Sequence, residues 1–245
     1  MSLIDTSSAR KYLLYAFGEI LLVMIGILLA LQVNNWNEER KDNESEIKIL
    51  RGLEKDIEAN IEILTEILNT HISCKGATIE LLSIFADEPK EYAVSEVDSL
   101  LELSTAPHKF YAQMGFFKSL ISSGDIKLIK NEKIVRFINS VEDQINEATE
   151  LNAKLIDSWD DNLLIRQHAY IRWMNIAKRD SVWFQYKWPN SQFDPDYKGL
   201  FNDPILENMY MITAYDQTAT VKREQTLLSS FNSVLEVVRE ELYEK

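Results

Sequence analysis

The sequence predicts an all-α protein: one N-terminal transmembrane helix followed by an extracytoplasmic helical bundle with an aromatic-rich irregular insertion. Three observations predict it. Tyr12 to Leu31 runs for twenty residues with one charge, Glu19, and a helix of that length covers about 30 Å, the hydrocarbon thickness of a bilayer. Only 7 Gly and 5 Pro punctuate 245 residues, too few turns for a many-stranded sheet. Beyond the span, apolar residues recur every three or four positions, the period of a helix with one buried face.

Composition narrows the classes further. With 46% hydrophobic and 27% charged residues, the chain reads as folded rather than disordered. The net charge of −13 repels phosphates, so no nucleic-acid partner is expected. Cys74 stands alone, which rules out an intrachain disulfide or a multi-cysteine zinc site.

The N-terminal stretch divides into a short cytoplasmic arm, 1–11, and a transmembrane helix, 12–33. Thirteen Leu, Ile, Val and Phe residues lie between Leu13 and Val33. They favour insertion by about 4–8 kcal/mol, against a cost of about 3 kcal/mol for one carboxylate at mid-membrane. The run exceeds a signal-peptide core and no A-x-A-like cleavage site follows it, so an uncleaved anchor is expected. Arg10 and Lys11 flank its start. Together with a large domain after a single span, they predict an N-terminus in the cytoplasm and residues 34–245 on the extracytoplasmic side of the membrane. Glu19, Val23, Gly26, Ala30 and Val33 share one helical stripe, and Gly26 with Ala30 forms the small-xxx-small spacing that lets a second helix approach. Glu19 reads either as an ion-coupled site or as a carboxyl bonding across a helix–helix contact, the second being the more economical.

After the span, 34–70 is a candidate stalk. From Ile47 a coiled-coil-like seam of Leu50, Leu53, Ile57, Ile61, Leu64 and Leu68 predicts a helix ending near His71–Gly76. A second helix follows over Ala77–Ala86, broken by Asp87-Glu88-Pro89, and a third over Ser95–Ser104 with Ser95 as cap. His108–Ser122 reads as helical, with Gly124 as its stop. Asn131 caps a long helix from Glu132 to Asp157 or beyond, and Trp159–Lys178 extends or restarts the pattern after Asp157-Ser158. Residues 179–202 break the pattern. Pro204 at a first helical position then starts the closing helices Ile205–Tyr215 and Ala219–Tyr243.

Chemistry-bearing motifs are sparse. Glycine-rich phosphate loops, nucleophile elbows and paired metal-binding histidines are all lacking. His71, His108 and His168 are far apart, none in the Glu-x-x-His spacing of di-iron bundles, and Asp157, Asp160 and Asp161 lack the spacing of a calcium loop. The chain is therefore expected not to be an enzyme and to hold no cofactor or metal. Trp183, Tyr186, Trp188 and Tyr197 offer a binding surface in the irregular stretch, although such rings more often pack the end of a bundle.

The segment K-Y-L-L-Y-A-F-G-E-I-L-L-V-M-I-G-I-L-L-A-L-Q-V-N-N-W-N-E-E-R resembles the N-terminal signature of a family of uncharacterised single-pass membrane proteins common in the Bacteroidota. S-S-G-D-I-K-L-I-K-N-E at Ser122–Glu132 is similar to a second, looser pattern of that family. The resemblance implies a membrane location, here the bacterial inner membrane with residues 34–245 periplasmic, and a helical domain, and no activity. Three functions are compatible with the residues. The first is a non-enzymatic scaffold in the lipid bilayer, a homo-oligomer or bound to a membrane protein through its span. The second is an accessory subunit of an ion-coupled or transport complex using Glu19. The third is a ligand-binding sensor using the aromatic stretch, weakened by an eleven-residue arm too short for an output domain.

Overall fold

The computed structural model describes residues 6–87, 92–105, 109–177, 189 and 191–243. Among these the regular structure is wholly helical. Helix α1, Thr6–Ala86, is one unbroken helix of 81 residues, about 120 Å long at 1.5 Å per residue. Its apolar N-terminal part is bare among the described residues: Leu14 to Val33 stand exposed, as does Trp36. This helix is long and apolar enough to cross a membrane.

The other half of α1 is core. From Glu46 onward a buried stripe runs through Leu50, Leu53, Ile57, Asn60, Leu64, Ile67, His71, Cys74, Thr78, Leu81 and Phe85, spaced alternately by four and three, with Leu68, Ala77 and Ile84 buried beside it. A stripe this regular faces one partner surface along its whole length. The expected seam placed Ile61 where Asn60 sits. Asn60 goes inside because its amide serves a neighbouring segment: Oδ1 accepts the Gln113 N–H at 2.8 Å and Nδ2 donates to the Gln113 carbonyl at 3.0 Å. That contact also explains why 109–114 is not helical, as His108–Ser122 suggested. Gln113 spends both backbone groups on Asn60, and helix α3 starts only at Gly115, ending at Ser123. The expected break near Gly76 is absent too. One glycine costs a helix about 1 kcal/mol, which the buried Cys74, Ala77 and Leu81 around it outweigh.

Helix α2, Val94–Ser104, is capped by Ala93 without a side-chain bond, so Ser95 lies inside its first turn rather than at its cap. Gly124 ends α3 at φ 76°, the left-handed geometry a glycine adopts freely. A 3₁₀ turn, Asp125–Leu128, leads to α4, Glu132–Ser158, where the Asn131 side chain accepts the Lys133 N–H at 2.9 Å. The buried Glu46 takes the Lys130 N–H at 2.9 Å and ties this entry to α1. A π-helical turn, Trp159–Leu163, passes into the short α5, Leu164–Gln167. Two more short helices follow, α6 (Trp173–Ala177) and α7 (Tyr197–Leu200). The closing pair expected from the sequence is one helix of 40 residues, α8, Pro204–Tyr243, since Asp216-Gln217-Thr218 holds no glycine or proline to break it.

Three long helices thus make the frame, with α8 antiparallel to α1 and α4. Arg239 near the end of α8 pairs with Glu54 at 3.0 Å and with Glu58, while Tyr210 near its start packs on Phe85. Two apolar cores lie along this frame. The first joins Leu50–Ile67 of α1 to Ile134–Ala148 of α4 and Leu227–Val238 of α8, with Phe117 and Leu120 of α3 as a lid. The second joins Ala77–Phe85 to α2, Leu163, Ile176, α7 and the start of α8.

Gly52 admits α3 to the first core: a Cβ there would overlap the Phe116 ring, whereas at Gly76 it would meet open space. In thermal melts, Gly76→Ala is expected to stabilise by about 0.5–1 kcal/mol from chain entropy and propensity. Gly52→Ala is expected to destabilise by about 1–2 kcal/mol, because displacing the ring outweighs that same gain.

Candidate functional site

Between the two cores lies a belt of polar side chains. Following the buried stripe of α1, Leu64 and Ile67 give way to His71, Cys74 and Thr78 before Leu81 resumes. On α8 the same interruption reads Thr213, Gln217, Thr220 and Glu224, between the buried Tyr210 and Leu227. Asn152 supplies the belt from α4.

At the centre His71 meets Glu224, 4% and 1% exposed. Nδ1 of His71 donates to both carboxylate oxygens at 2.9 Å. The Asn152 amide donates to Nε2 at 3.3 Å, so one ring links all three long helices. A buried carboxylate needs such bonds, because an ion stripped of water and left unpaired costs several kcal/mol. The hydroxyls of Thr213 and Thr220 donate back to Met209 and Asp216 of their own helix at 2.9 and 3.0 Å, which leaves their lone pairs facing outward as acceptors.

The belt borders a partly open cavity of about 30 Å³, lined by His71, Cys74, Ser104, Thr105, Asn152, Leu155, Ile156, Trp159, Thr213, Gln217 and Thr220. That volume holds about two water molecules at roughly 10–15 Å³ each. The Gln217 amide donates to the Ser104 carbonyl at 3.4 Å, while its Oε1 is buried without a partner. The indole N–H of Trp159, where the π turn begins, is likewise shut from solvent and unpartnered. π-helical turns recur at functional sites because they displace side chains from the regular helical positions.

A second polar cluster sits at the start of α8. Asp203 accepts the Ile205 N–H at 2.9 Å, Arg166 Nε and Nη2 at 2.7 and 2.6 Å, and the Tyr170 hydroxyl at 2.9 Å. Burial pushes the Asp203 carboxyl up, but the Tyr170 hydroxyl, the backbone N–H groups and Arg166 outweigh it and hold the group below its ordinary range. The same bond, with burial, raises Tyr170. This cluster is a helix cap with an ion pair.

The residues singled out from the sequence fall in different places. Glu19, Val23, Gly26, Ala30 and Val33 all stand exposed on the bare part of α1. Trp183, Tyr186 and Trp188 lie outside the described residues. Tyr197 is 3% exposed, donates its hydroxyl to Asp98 and meets Tyr92 edge-on at 6.5 Å, so it packs the second core and offers no surface. His168 and Asp157, Asp160 and Asp161 are exposed, and His108 lies outside the described residues. Among the described residues no three His, Cys, Asp or Glu side chains gather where a metal could be held. The belt itself was missed: His71 and Glu224 are 153 residues apart. The one signal for it was the polar gap in the apolar period of α1 and of α8.

Residues 19–166, from the apolar part of α1 to α5, match a family described as a family of unknown function, DUF6090. The chain belongs to this family. The matched segment contributes His71, Cys74, Asn152 and Trp159 to the belt, while Gln217 and Glu224 lie on α8, beyond it. No curated protein and no solved structure matches the chain.

Proposed function

We propose that this member of the family is a non-enzymatic, membrane-anchored interaction protein that self-associates through its span. In this reading residues 12–33 cross the bacterial inner membrane, the arm 1–11 is cytoplasmic, and 34–245 form a periplasmic helical domain. The observation that carries it is α1 itself: an apolar helix without a single covered side chain from Leu14 to Val33, continuous with the core of the domain. A face of Glu19, Gly26 and Ala30 on such a helix favours a second helix, since small residues let backbones approach and a carboxyl in hydrocarbon gains most from a bonding partner. The partners are the lipid bilayer and a second copy, and the charge of −13 argues against nucleic acid.

The full-length protein, purified in mild detergent at native expression level, is expected to run as one homo-oligomer by mass determination. Gly26→Leu with Ala30→Leu is expected to dissociate it while the helical content of the domain stays constant. A monomeric wild type would end this reading. A polytopic membrane protein that purifies with the chain and is lost in Glu19→Gln would replace it with an accessory-subunit role, which Glu19 within an apolar run specifically favours.

A further inference from the structure

We propose that the cavity in the polar belt is a binding site for a small uncharged ligand that both donates and accepts hydrogen bonds, of the primary carboxamide class. The inference is independent of how the chain sits in a membrane.

The site is built by convergence. Side chains from α1, α4, the π turn and α8 line one cavity of about 30 Å³ between two apolar cores. A gap between cores is normally closed by apolar packing, since native interiors leave few voids larger than a water. Here the sequence instead places amides and hydroxyls along it. Two of the lining side chains carry buried atoms without a partner, Oε1 of Gln217, whose residue is 4% exposed, and Nε1 of Trp159. Each unmet group is costly in a dry interior, and native proteins satisfy nearly all of them.

The chemistry of those atoms selects the ligand. Oε1 is an acceptor and needs a donor, while the indole N–H is a donor and needs an acceptor. A primary carboxamide brings an NH₂ and a carbonyl in one planar group. The hydroxyls of Thr213 and Thr220 already donate to their own helix, and their lone pairs add acceptors for the second amide hydrogen. Charge is disfavoured. The Glu224 carboxylate is occupied by His71 and does not line the cavity, so an ion entering would shed water without gaining a counter-charge. The size admits a headgroup of a few heavy atoms, and the half-buried Leu155 and Ile156 flank it with apolar contact for a short chain.

The test uses the full chain in detergent with its indole nitrogens labelled, titrated with acetamide, acetate and methylammonium and read by NMR. The Trp159 indole resonance, identified by its loss in Trp159→Phe, is expected to shift saturably with acetamide at a Kd on the order of 1–10 mM, within the ceiling for so small a ligand. Acetate and methylammonium are expected to give no saturable shift. Gln217→Met is expected to weaken acetamide at least about tenfold, the loss of one hydrogen bond to a buried acceptor, with the other indole resonances reporting that the variant is folded. No saturable shift with acetamide overturns the proposal, which would leave the cavity to water. Binding of either charged probe as tight as acetamide also overturns it, as does unchanged binding in folded Gln217→Met. Should that variant not fold, the three wild-type titrations decide alone.

Discussion

Glu224→Ala is expected to lower the free energy of unfolding by about 3–5 kcal/mol, the cost of removing one partner from a buried hydrogen-bonded pair. For a chain of this length that is a fall of roughly 6–20 °C in Tm. Nδ1 of His71 bonds to this carboxylate, and the ring joins α1, α4 and α8. Truncation leaves a buried N–H unmet and opens space next to a cavity that already exists, so the two costs add. The double variant His71→Leu with Glu224→Met separates this from generic loss of packing. Apolar groups of similar volume can replace a buried polar pair at little or no cost, so thermal melts are expected to show the double variant well above Glu224→Ala. A double variant as unstable as the single one would mean that the pair is not the unit of stability.

Asp203→Ala is expected to cost about 2–4 kcal/mol. It removes an N-cap, typically worth about 1 kcal/mol, together with bonds from Arg166 and Tyr170 to a charged acceptor, at about 1.5–3 kcal/mol each before the exposure of Arg166 is discounted. Because the folded state holds this carboxyl below its unfolded value of about 3.9, its stabilisation is complete above about pH 4 and is lost as pH falls through the folded value. Denaturant titrations of wild type and Asp203→Ala are therefore expected to differ fully at neutral pH and to converge in acid. Asp203→Asn retains an oxygen for the Ile205 N–H and is expected to fall between them. A gap independent of pH would assign the effect to the cap alone.

Local signals in this sequence were legible where one residue decides one geometry. Asn131 caps α4, Gly124 takes the left-handed turn, and Pro204 opens α8 behind Asp203, each through contacts within a few residues. The apolar period likewise located most of the first core. What was not legible depends on distant chain. Gly76 reads as a stop only if nothing packs beyond it, and the second core does. Gln113 reads as helical until Asn60, 53 residues earlier, takes both its backbone groups. The belt is the extreme case. A histidine amid leucines has no local meaning until α8 returns antiparallel and brings Glu224 against it. Tyr197 illustrates the converse, a ring in an irregular stretch that reads as packing more readily than as surface, and it does pack, with its hydroxyl bonded to Asp98.

The continuity of α1 carries angular information across its length. From Glu19 to Glu46 is 27 residues, about 7.5 turns at 3.6 residues per turn. The Glu19–Gly26–Ala30 face and the face that enters the core therefore point in opposite directions around one axis. Two copies joined along the first face would carry their globular parts outboard, on the far sides of a paired shaft, with no collision to relieve. Since no turn or glycine hinge interrupts the helix between Val33 and Glu46, whatever sets the azimuth of one end sets it for the other.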